Sequence, residues 1–375
     1  WTLTASGPSP FSGAGPNVPN GPDFQAGSYI LSETGPDGYT ATAWNCSGGS
    51  QQDANTVIVA PGQYVECTIT NDDIGPGLTL IKQVENDNGG TAVPADWVLT
   101  ADGPTGFSGN GPSVSSEADF AAGTYVLSES GPAGYSSSEW SCAGGTPDPE
   151  DSNVLTLAPG ESANCTITSD DLTPSLTLLK EVTNDHGGTL SAAAWTLTAD
   201  GPTGITGPGP TVVSDAGFDA GTYTLFESGP DGYDAGAWEC TGDGQQTGNN
   251  VTLALGESTT CTIDNDDIEP SLTLVKVVVN DDNGAAVPSD WTLTASGPAG
   301  FSGTGPGVPN GSNFQAGVYT LSENGPPGYM AGEWVCVGAT EQNGSVVIVG
   351  PGDSITCTIT NDDKAPGLTL VKQVI

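Results

Sequence analysis

Short runs of alternating apolar and polar residues recur along the whole chain. Runs such as W-T-L-T-A, Y-I-L-S-E, C-T-I-T-N and L-T-L-I-K-Q-V have the period of two that is typical of half-buried β-strands. Gly-Pro and Gly-Gly pairs, which are typical of turns, separate them. No stretch has a helical period of 3.6 residues, and no apolar run is long enough to span a membrane. The pattern therefore predicts an all-β protein with no membrane insertion.

These strands belong to a unit that occurs four times, beginning at Trp1, Trp97, Trp195 and Trp291, with spacings of 96, 98 and 96 residues. A unit of this length is one small domain copied in tandem, because it is too long for a solenoid repeat. Short strands in such a domain predict an antiparallel β-sandwich, and the chain is expected to be an array of them, like beads on a string. The expected domains span residues 1–73, 77–171, 174–267 and 270–363; the first lacks its first strand, and residues 366–375 form an unpaired donor strand.

Each unit contains two cysteines, 21 or 23 residues apart. No pair has the C-x-x-C spacing of a zinc ribbon or redox motif, although metal or redox chemistry is the alternative. We predict one disulfide per domain, which implies an oxidising, extracellular compartment and stabilises each domain by roughly 3 kcal/mol. The pairs are Cys46–Cys67, Cys142–Cys165, Cys240–Cys261 and Cys336–Cys357.

The charge balance excludes several classes of function. The chain has 45 acidic residues, five lysines, no arginine and a net charge of −40. Nucleic acids and anionic membranes require clustered Lys and Arg, so neither is expected as a partner. The single histidine, His186, leaves little room for histidine-based catalysis or metal binding. We therefore do not expect an enzyme that acts on an external substrate.

Four of the five lysines occupy one position of the repeat, on a strand of the type L-T-L-x-K. The strand period places Lys82 on the same face as Leu78 and Leu80, which is expected to be the core face. Burial of an ammonium group is costly unless the group is paired or neutralised. The four equivalent residues are Lys82, Lys180, Lys276 and Lys372, and the fifth, Lys364, lies in a linker.

The same period places a glutamate and an asparagine on apolar faces. The glutamate follows Tyr and Leu in Y-x-L-x-E, and the asparagine follows Cys and Ile in C-T-I-x-N. The Lys-to-Glu spacing is 47 residues in each complete unit, and the Lys-to-Asn spacing is 85 in the two units that have both. The residues are Glu33, Glu129, Glu227 and Glu323, with Asn71, Asn265 and Asn361.

These three side chains together predict a covalent cross-link. A desolvated lysine beside a carboxylate can lose its proton and become a nucleophile. The glutamate can shuttle protons and polarise the asparagine carboxamide. Attack by the amine then releases ammonia and leaves a Lys–Asn isopeptide bond that ties the first strand to the last. The alternative is a buried Lys–Glu ion pair that is hydrogen-bonded to the asparagine.

The run L-S-E-T-G-P-D-G-Y at residues 31–39 resembles the L-x-E-x-x-P-x-G-Y signature of prealbumin-like (transthyretin-like) domains of the collagen-adhesin B type, and it recurs in every unit. The order of Lys, Glu and Asn is also similar to the intramolecular isopeptide triad of that family. The resemblance covers nearly the whole chain. It implies prealbumin-like β-sandwiches, as in bacterial surface stalks and pilus shafts, with bonds Lys180–Asn265 beside Glu227 and Lys276–Asn361 beside Glu323.

The second unit departs from this pattern, because Ser169 replaces the asparagine and offers no carboxamide. No Lys–Asn bond is predicted there. Lys82 is expected to pair with Glu129, or with Asp170 if the last strand contains a bulge.

The two ends of the sequence are complementary. Donation of Leu368–Ile375 to the first domain of another copy would cover an open sheet edge and propagate a head-to-tail filament. Lys372 would then face Glu33 and Asn71 and could close an isopeptide bond between copies. The alternative is that the sequence is a window on a longer polypeptide.

Acidic turns follow the last strand of each unit and suit Ca²⁺, although no run has EF-hand spacing and solvated turns are the alternative. No cofactor is required, and calcium is the one candidate; a melting temperature that a chelator leaves unchanged would exclude it. The candidate ligands are Asp72, Asp73, Asp266, Asp267, Asp362 and Asp363.

The sequence predicts a secreted structural protein, namely the shaft of an extracellular filament or cell-surface stalk whose partners are copies of itself. The alternative is a cell-surface adhesin that binds a glycan or a partner protein. Phenylalanines recur at matched positions of the repeat, which favours a role in the core over a specialised binding site.

Overall fold

The computed structural model describes residues 1–373 and confirms the all-β fold class. Within these residues the helices are three-residue 3₁₀ turns, Pro94–Asp96, Ala192–Ala194 and Pro288–Asp290. None of them has the length and apolar character needed to cross a bilayer. By its internal contacts the chain divides into two compact units, with the division between Leu172 and Thr173.

The second, third and fourth domains each consist of two five-stranded sheets that face each other across a core. The second domain contains the strands Gly77–Glu85, Val98–Asp102, Phe107–Asn110, Ser113–Ser115, Gly123–Ser130, Tyr135–Ser137, Ser141–Ala143, Thr146–Pro147, Val154–Leu157 and Ser162–Asp171.

The third and fourth domains repeat this order. The strands of the third are Ser175–Thr183, Thr196–Asp200, Ile205–Pro208, Thr211–Val213, Gly221–Ser228, Tyr233–Ala235, Glu239–Gly242, Gln245–Thr247, Asn250–Leu253 and Ser258–Asp267. Those of the fourth are Ser271–Val279, Thr292–Ser296, Phe301–Thr304, Gly307–Pro309, Gly317–Asn324, Tyr329–Ala331, Val335–Val337, Glu341–Asn343, Val346–Val349 and Ser354–Asp363.

The first strand of each of these domains, here called the lysine strand, pairs with the last strand in parallel over nine residues. The other strand pairs are antiparallel, as the hairpin signals predict. Parallel neighbours need a long connection, and here the rest of the domain provides it. Because both strands run in the same direction, the chain enters a domain at one end of this pair and leaves at the other.

The core of each domain contains the leucines that the strand period places on one face. In the third domain Leu176, Leu178, Leu197 and Leu225 are fully buried, together with Tyr223. Each complete domain therefore has its own apolar core, and the lysine of the lysine strand points into it.

The first domain has the same strand order but lacks a lysine strand within residues 1–73. Its last strand is split into two short pieces, and each pairs with one neighbour in a two-stranded sheet. Trp1 is 43% exposed, whereas Trp97 is 2% exposed. The strands are Thr2–Ser6, Phe11–Ala14, Gly27–Thr34, Tyr39–Ala41, Asn45–Ser47, Ser50–Gln51, Thr56–Val59, Glu66–Thr68 and Asn71–Asp73.

Isoleucine residues join neighbouring domains through paired backbone hydrogen bonds. The Ile74 N–H donates to the Gly38 carbonyl at 2.9 Å, and the Ile74 carbonyl accepts from the Gly160 N–H at 2.7 Å. Ile268 makes the equivalent bonds, donating to Gly232 at 3.0 Å and accepting from Gly352 at 2.8 Å. Each isoleucine therefore bonds to the domain before it and to the domain after it.

Residues 364–373 follow the fourth domain, and no strand is formed among them. Leu368 and Leu370 are each 86% exposed. The last two residues of the predicted donor strand, 374 and 375, lie outside the described residues. The described part of that strand therefore exposes the apolar face that the equivalent lysine strands bury.

Candidate functional site

The lysine strands bring a lysine into the core of three domains, as the strand period predicts. Lys82, Lys180 and Lys276 are only 2–4% exposed. Each ammonium group lies over the indole ring of a core tryptophan, with the nitrogen 4.6–5.2 Å from the ring centroid. This placement allows a favourable cation–π contact but excludes water. Each lysine therefore depends on neighbouring polar side chains for its remaining interactions.

In the third domain the lysine, glutamate and asparagine converge. The Lys180 Nζ atom donates to the Asn265 Oδ1 atom at 2.6 Å and lies 3.3 Å from the Glu227 Oε2 atom. A weaker bond reaches the Ile263 carbonyl at 3.3 Å. The amine is thus in contact with the carboxamide that it would attack and with the carboxylate that would take its proton.

The fourth domain brings the same three residues together with a different set of hydrogen bonds. The Glu323 Oε2 atom pairs with the Lys276 Nζ atom at 2.7 Å, and its Oε1 atom accepts from the Asn361 Nδ2 atom at 2.6 Å. The buried Asn361 Oδ1 atom has no hydrogen-bond partner among the described residues. One carboxylate thus bridges the amine and the amide nitrogen, which are the nucleophile and the leaving group of the predicted reaction.

Burial lowers the pKa of Lys82, Lys180 and Lys276 below the usual value for lysine, and the neighbouring glutamate opposes this shift in each domain. Removal from water disfavours the charged ammonium. A lowered pKa increases the fraction of neutral amine, which is the form that can act as a nucleophile.

In the second domain Ser169 occupies the asparagine position. Its hydroxyl bonds to Lys82, and Lys82 Nζ pairs with Glu129 Oε2 at 2.6 Å. The last strand pairs in continuous register with the lysine strand, so no bulge turns Asp170 toward the lysine. The alternative Lys82–Asp170 pairing is therefore wrong, because Asp170 lies on the opposite face of the strand.

The second domain also contains a site residue that the sequence interpretation missed. Ser137 lies directly opposite Ser169 on the neighbouring strand and contacts Glu129. The other domains have alanine at the equivalent position, in register with the asparagine: Ala41, Ala235 and Ala331. The sequence does contain one indication of this role: the second unit has serine at both positions, 137 and 169, where the other units have alanine and asparagine.

The first domain contains the glutamate and the asparagine without a lysine. The Asn71 Nδ2 atom donates to the Glu33 Oε2 atom at 3.1 Å. The Asn71 Oδ1 atom is buried and has no hydrogen-bond partner among the described residues, like its equivalent in the fourth domain. Lys372 is exposed in the terminal segment. Residues 1–73 thus form two thirds of the site.

The four predicted disulfides are present. In each domain one cysteine lies on the last strand and its partner lies directly opposite on a short neighbouring strand. Cys165, Cys261 and Cys357 are fully buried. The disulfide therefore attaches an edge segment to the same strand that carries the asparagine or its serine replacement.

The last aspartate of the last strand has a structural role that the sequence interpretation did not identify. The Asp267 carboxylate accepts hydrogen bonds from the backbone N–H groups of Asp185, His186 and Gly188, at 2.8, 2.9 and 2.5 Å. Asp171 and Asp363 bind the equivalent turns. This contact ties the turn that follows the lysine strand to the end of the last strand.

The structure groups the candidate calcium ligands with other acidic residues in the third and fourth domains. Asp266 and Asp267 lie near Asp185 and His186, and Asp362 and Asp363 lie near Asp281. In the first domain Asp72 and Asp73 are exposed. The buried aspartate in each group already accepts hydrogen bonds from three backbone N–H groups, which leaves it fewer lone pairs for a cation. Calcium binding stays a prediction.

The Asp267→Asn variant is expected to lower the stability of the third domain by about 2 kcal/mol at pH 7, because a charged acceptor of three N–H groups is replaced. Burial acts to raise the pKa of Asp267, but the N–H groups outweigh it and the pKa lies below its usual value. The carboxylate therefore stabilises the fold above the pKa of the unfolded state, and this contribution disappears as the pH falls through the folded-state pKa.

Thermal unfolding of the Asp267→Asn variant between pH 8 and pH 3 measures this effect. The difference from the unsubstituted chain should be largest at neutral pH and should shrink in the acidic range. Asp266→Asn is the matched control, because Asp266 is an exposed neighbour. Equal effects of the two substitutions would contradict the proposed role of the turn contact.

The comparison with protein-family models identifies the domain type. A family model described as "Prealbumin-like fold domain" matches residues 1–69, 73–167, 171–263 and 267–359. A structure of the Bacillus anthracis TIE protein is similar, with a TM-score of 0.48 and 14% identity over 92% of this chain and 62% of that chain. The pilus adhesin SpaC from Lactobacillus rhamnosus GG, in its open conformation, gives a TM-score of 0.24 and 13% identity over 98% of this chain and 57% of that chain.

Two B repeat units of the collagen binding protein of Staphylococcus aureus give a TM-score of 0.22 and 14% identity, over 88% of this chain and 95% of that chain. The chain spans less than two thirds of the TIE and SpaC structures. No match was found among the curated proteins.

Proposed function

The chain belongs to the family of prealbumin-like fold domains and contains four such domains in tandem. We propose that these domains form the shaft of an extracellular filament or cell-surface stalk. The observation that carries this proposal is the Lys–Glu–Asn site between the lysine strand and the last strand. The lysine side chains at these sites have no exposed area. A site that is closed to external substrates suits a permanent internal bond better than turnover.

The proposed reaction balances without a cofactor or an external reagent. The Lys180 ammonium first transfers a proton to the Glu227 carboxylate, and the neutral amine attacks the Asn265 carbonyl carbon. The C–Nδ2 bond then breaks, and the amide nitrogen leaves as ammonia with the proton that the glutamate returns. The second proton of the attacking nitrogen passes to the Glu227 carboxylate, so a neutral Lys–Asn amide and a protonated glutamate remain. Lys276, Glu323 and Asn361 complete the same sequence in the fourth domain.

The position of this bond fits a load-bearing function. Tension along a tandem array pulls the start of the lysine strand and the end of the last strand in opposite directions. Because the two strands are parallel neighbours, the load acts on this strand pair in shear. A bond between Lys180 and Asn265 would carry the force directly from one strand to the other and would bypass the 84 residues between them.

Disulfides and surface composition support an extracellular location. Each domain has a disulfide, and the described residues contain no free cysteine. Such bonds persist in oxidising compartments. The surface is strongly acidic, with a net charge of −40, which favours solubility. We therefore place the shaft outside the cell.

The recurrent phenylalanines do not favour the adhesin alternative. Phe120, Phe218 and Phe314 are buried and stack on core tyrosines, with ring centroids 4.5–4.9 Å apart. These aromatic residues therefore stabilise the domain and are not available to a glycan or a partner protein.

Intact-mass measurement tests the cross-links. After reduction of the disulfides, the chain should be lighter than its sequence mass by two molecules of ammonia, one for each domain with a complete site. Proteolysis should release a branched peptide that joins Lys180 to Asn265 and a second that joins Lys276 to Asn361. An unmodified mass would rule out the bonds and would favour buried ion pairs.

We also propose that a lysine strand supplied from outside residues 1–73 completes the first domain. Three observations support it: the split last strand, the unpartnered Asn71 Oδ1 atom, and the exposed leucines of the terminal segment. The strand could come from a second copy, which would give head-to-tail polymerisation with a Lys372–Asn71 bond. It could equally precede Trp1 in a longer polypeptide.

A further inference from the structure

In the second domain Ser137, Ser169, Glu129 and Lys82 form a hydrogen-bond network of their own in place of the Lys–Glu–Asn site. Its two hydroxyl groups lie 3.1 Å apart, and both contact the Glu129 Oε1 atom, with Ser169 at 2.9 Å and Ser137 at shorter distance. The Glu129 Oε2 atom pairs with Lys82. Both oxygens of the Glu129 carboxylate are therefore engaged, one by Lys82 and one by the two serines, and neither serine offers a carboxamide that the lysine could attack.

Comparison with the fourth domain shows what Ser137 does. There the equivalent oxygen, Glu323 Oε1, accepts from the Asn361 amide nitrogen. In the second domain Ser137 would compete for the same oxygen even if an asparagine stood at position 169. The alanine of the other domains leaves this oxygen to the carboxamide. Cross-linking is thus opposed in two ways: Ser169 removes the carboxamide that the lysine would attack, and Ser137 occupies the glutamate oxygen that would hold a carboxamide.

We propose that Ser137 and Ser169 together keep the second domain free of a cross-link and make it the extensible element of the shaft. This proposal rests on the proposed cross-links of the third and fourth domains. In the second domain only backbone hydrogen bonds and side-chain contacts join the lysine strand to the last strand. A sufficient load can therefore separate them, whereas a covalent bond would hold.

The disulfide sets the length that the second domain can release. The segment between Cys142 and Cys165, which are separated by 23 positions in sequence, cannot extend while the disulfide is intact. Handles attached at Gly75 and Thr173, both exposed, enclose the domain. At about 3.4 Å for each extended residue, the unfolded chain between the handles spans about 250 Å, or about 330 Å after reduction of the disulfide. The step equals this length minus the folded span between the handles, which the nine-residue lysine strand sets at roughly 30 Å. With a Lys–Asn bond the span between the handles could not exceed about 40 Å, so almost no length would be released.

Single-molecule force spectroscopy on the full chain tests the proposal, with click-chemistry handles introduced at positions 75 and 173. We expect one step of roughly 220 Å, lengthened by reductant. The Ser137→Ala/Ser169→Asn variant should lose this step and should lose one additional ammonia in its intact mass. The single variant Ser169→Asn should cross-link less completely than the double variant, because Ser137 still competes for Glu129.

Handles at positions 173 and 269, which enclose the third domain, provide the matched control. Absence of a step in the second domain would overturn the extensible element and leave the proposed function intact. A long step in the third domain would overturn the proposed cross-link instead. If the double variant does not fold, the comparison of the second and third domains in the unsubstituted chain still decides the question.

Discussion

The Glu227→Gln variant is expected to lose one molecule of ammonia fewer than the unsubstituted chain, because the cross-link of its third domain does not form. The free energy of unfolding of that domain should fall by about 4–5 kcal/mol. Glutamine cannot accept the proton of the Lys180 ammonium, so the nucleophilic amine is not formed. The bond would close a loop of 85 residues, and the chain-entropy model assigns this amount to a loop of that length. The variant also leaves a buried ammonium without its carboxylate, which adds to the loss.

Intact mass and thermal unfolding measure the two parts of this expectation. Glu129→Gln is the matched control, because it removes the equivalent carboxylate from a domain that has no asparagine. Its mass should change only by the substitution, whereas its stability should fall through the loss of the Lys82 ion pair. If Glu227→Gln lost the same number of ammonia molecules as the unsubstituted chain, the glutamate would not be the proton carrier.

A synthetic peptide with the sequence of residues 366–375 is expected to join covalently to the first domain. In the other domains the leucines equivalent to Leu368 and Leu370 are almost fully buried. Their transfer from solvent into the open core would contribute roughly 2 kcal/mol for each side chain. This binding would place Lys372 beside Glu33 and Asn71 and complete the triad.

The adduct should survive boiling in denaturant with reductant. A peptide with Lys372→Ala should bind without forming the adduct, and a chain with Asn71→Ala should bind the unaltered peptide in the same reversible way. These controls separate strand pairing from amide formation. Binding that remains fully reversible for the unaltered peptide would contradict the cross-link at this site, and the absence of binding would contradict strand donation.

The strand period was sufficient to identify the members of the site, because a polar residue on an apolar face is unusual enough to be noticed in each copy. Lys180, Glu227 and Asn265 were found in this way, and the structure brings them into contact. Ser137 was not found. Its role depends on which strand lies opposite Ser169, and the alternation of apolar and polar residues along one strand does not specify which strand pairs with it.

The turn contact of Asp267 was missed for a related reason. Its partners are backbone N–H groups about 80 residues away in sequence. Any residue type can supply a backbone N–H, so no sequence motif marks the contact. The sequence indicated acidic turns and therefore calcium, while the structure shows that one carboxylate of each group already accepts several N–H groups.

By itself the sequence determined the tandem repeat, the all-β class, the cysteine pairs and the identity of the buried polar residues, because these follow from periodicity and spacing within about 100 residues. Only the tertiary structure decided that the lysine strand and the last strand are parallel neighbours. That pairing depends on how two sheets close around a core, and a polar residue can meet its partner only after the whole domain has folded. The chemistry of each domain is thus encoded locally, but the contact that makes it possible is formed by segments more than 80 residues apart.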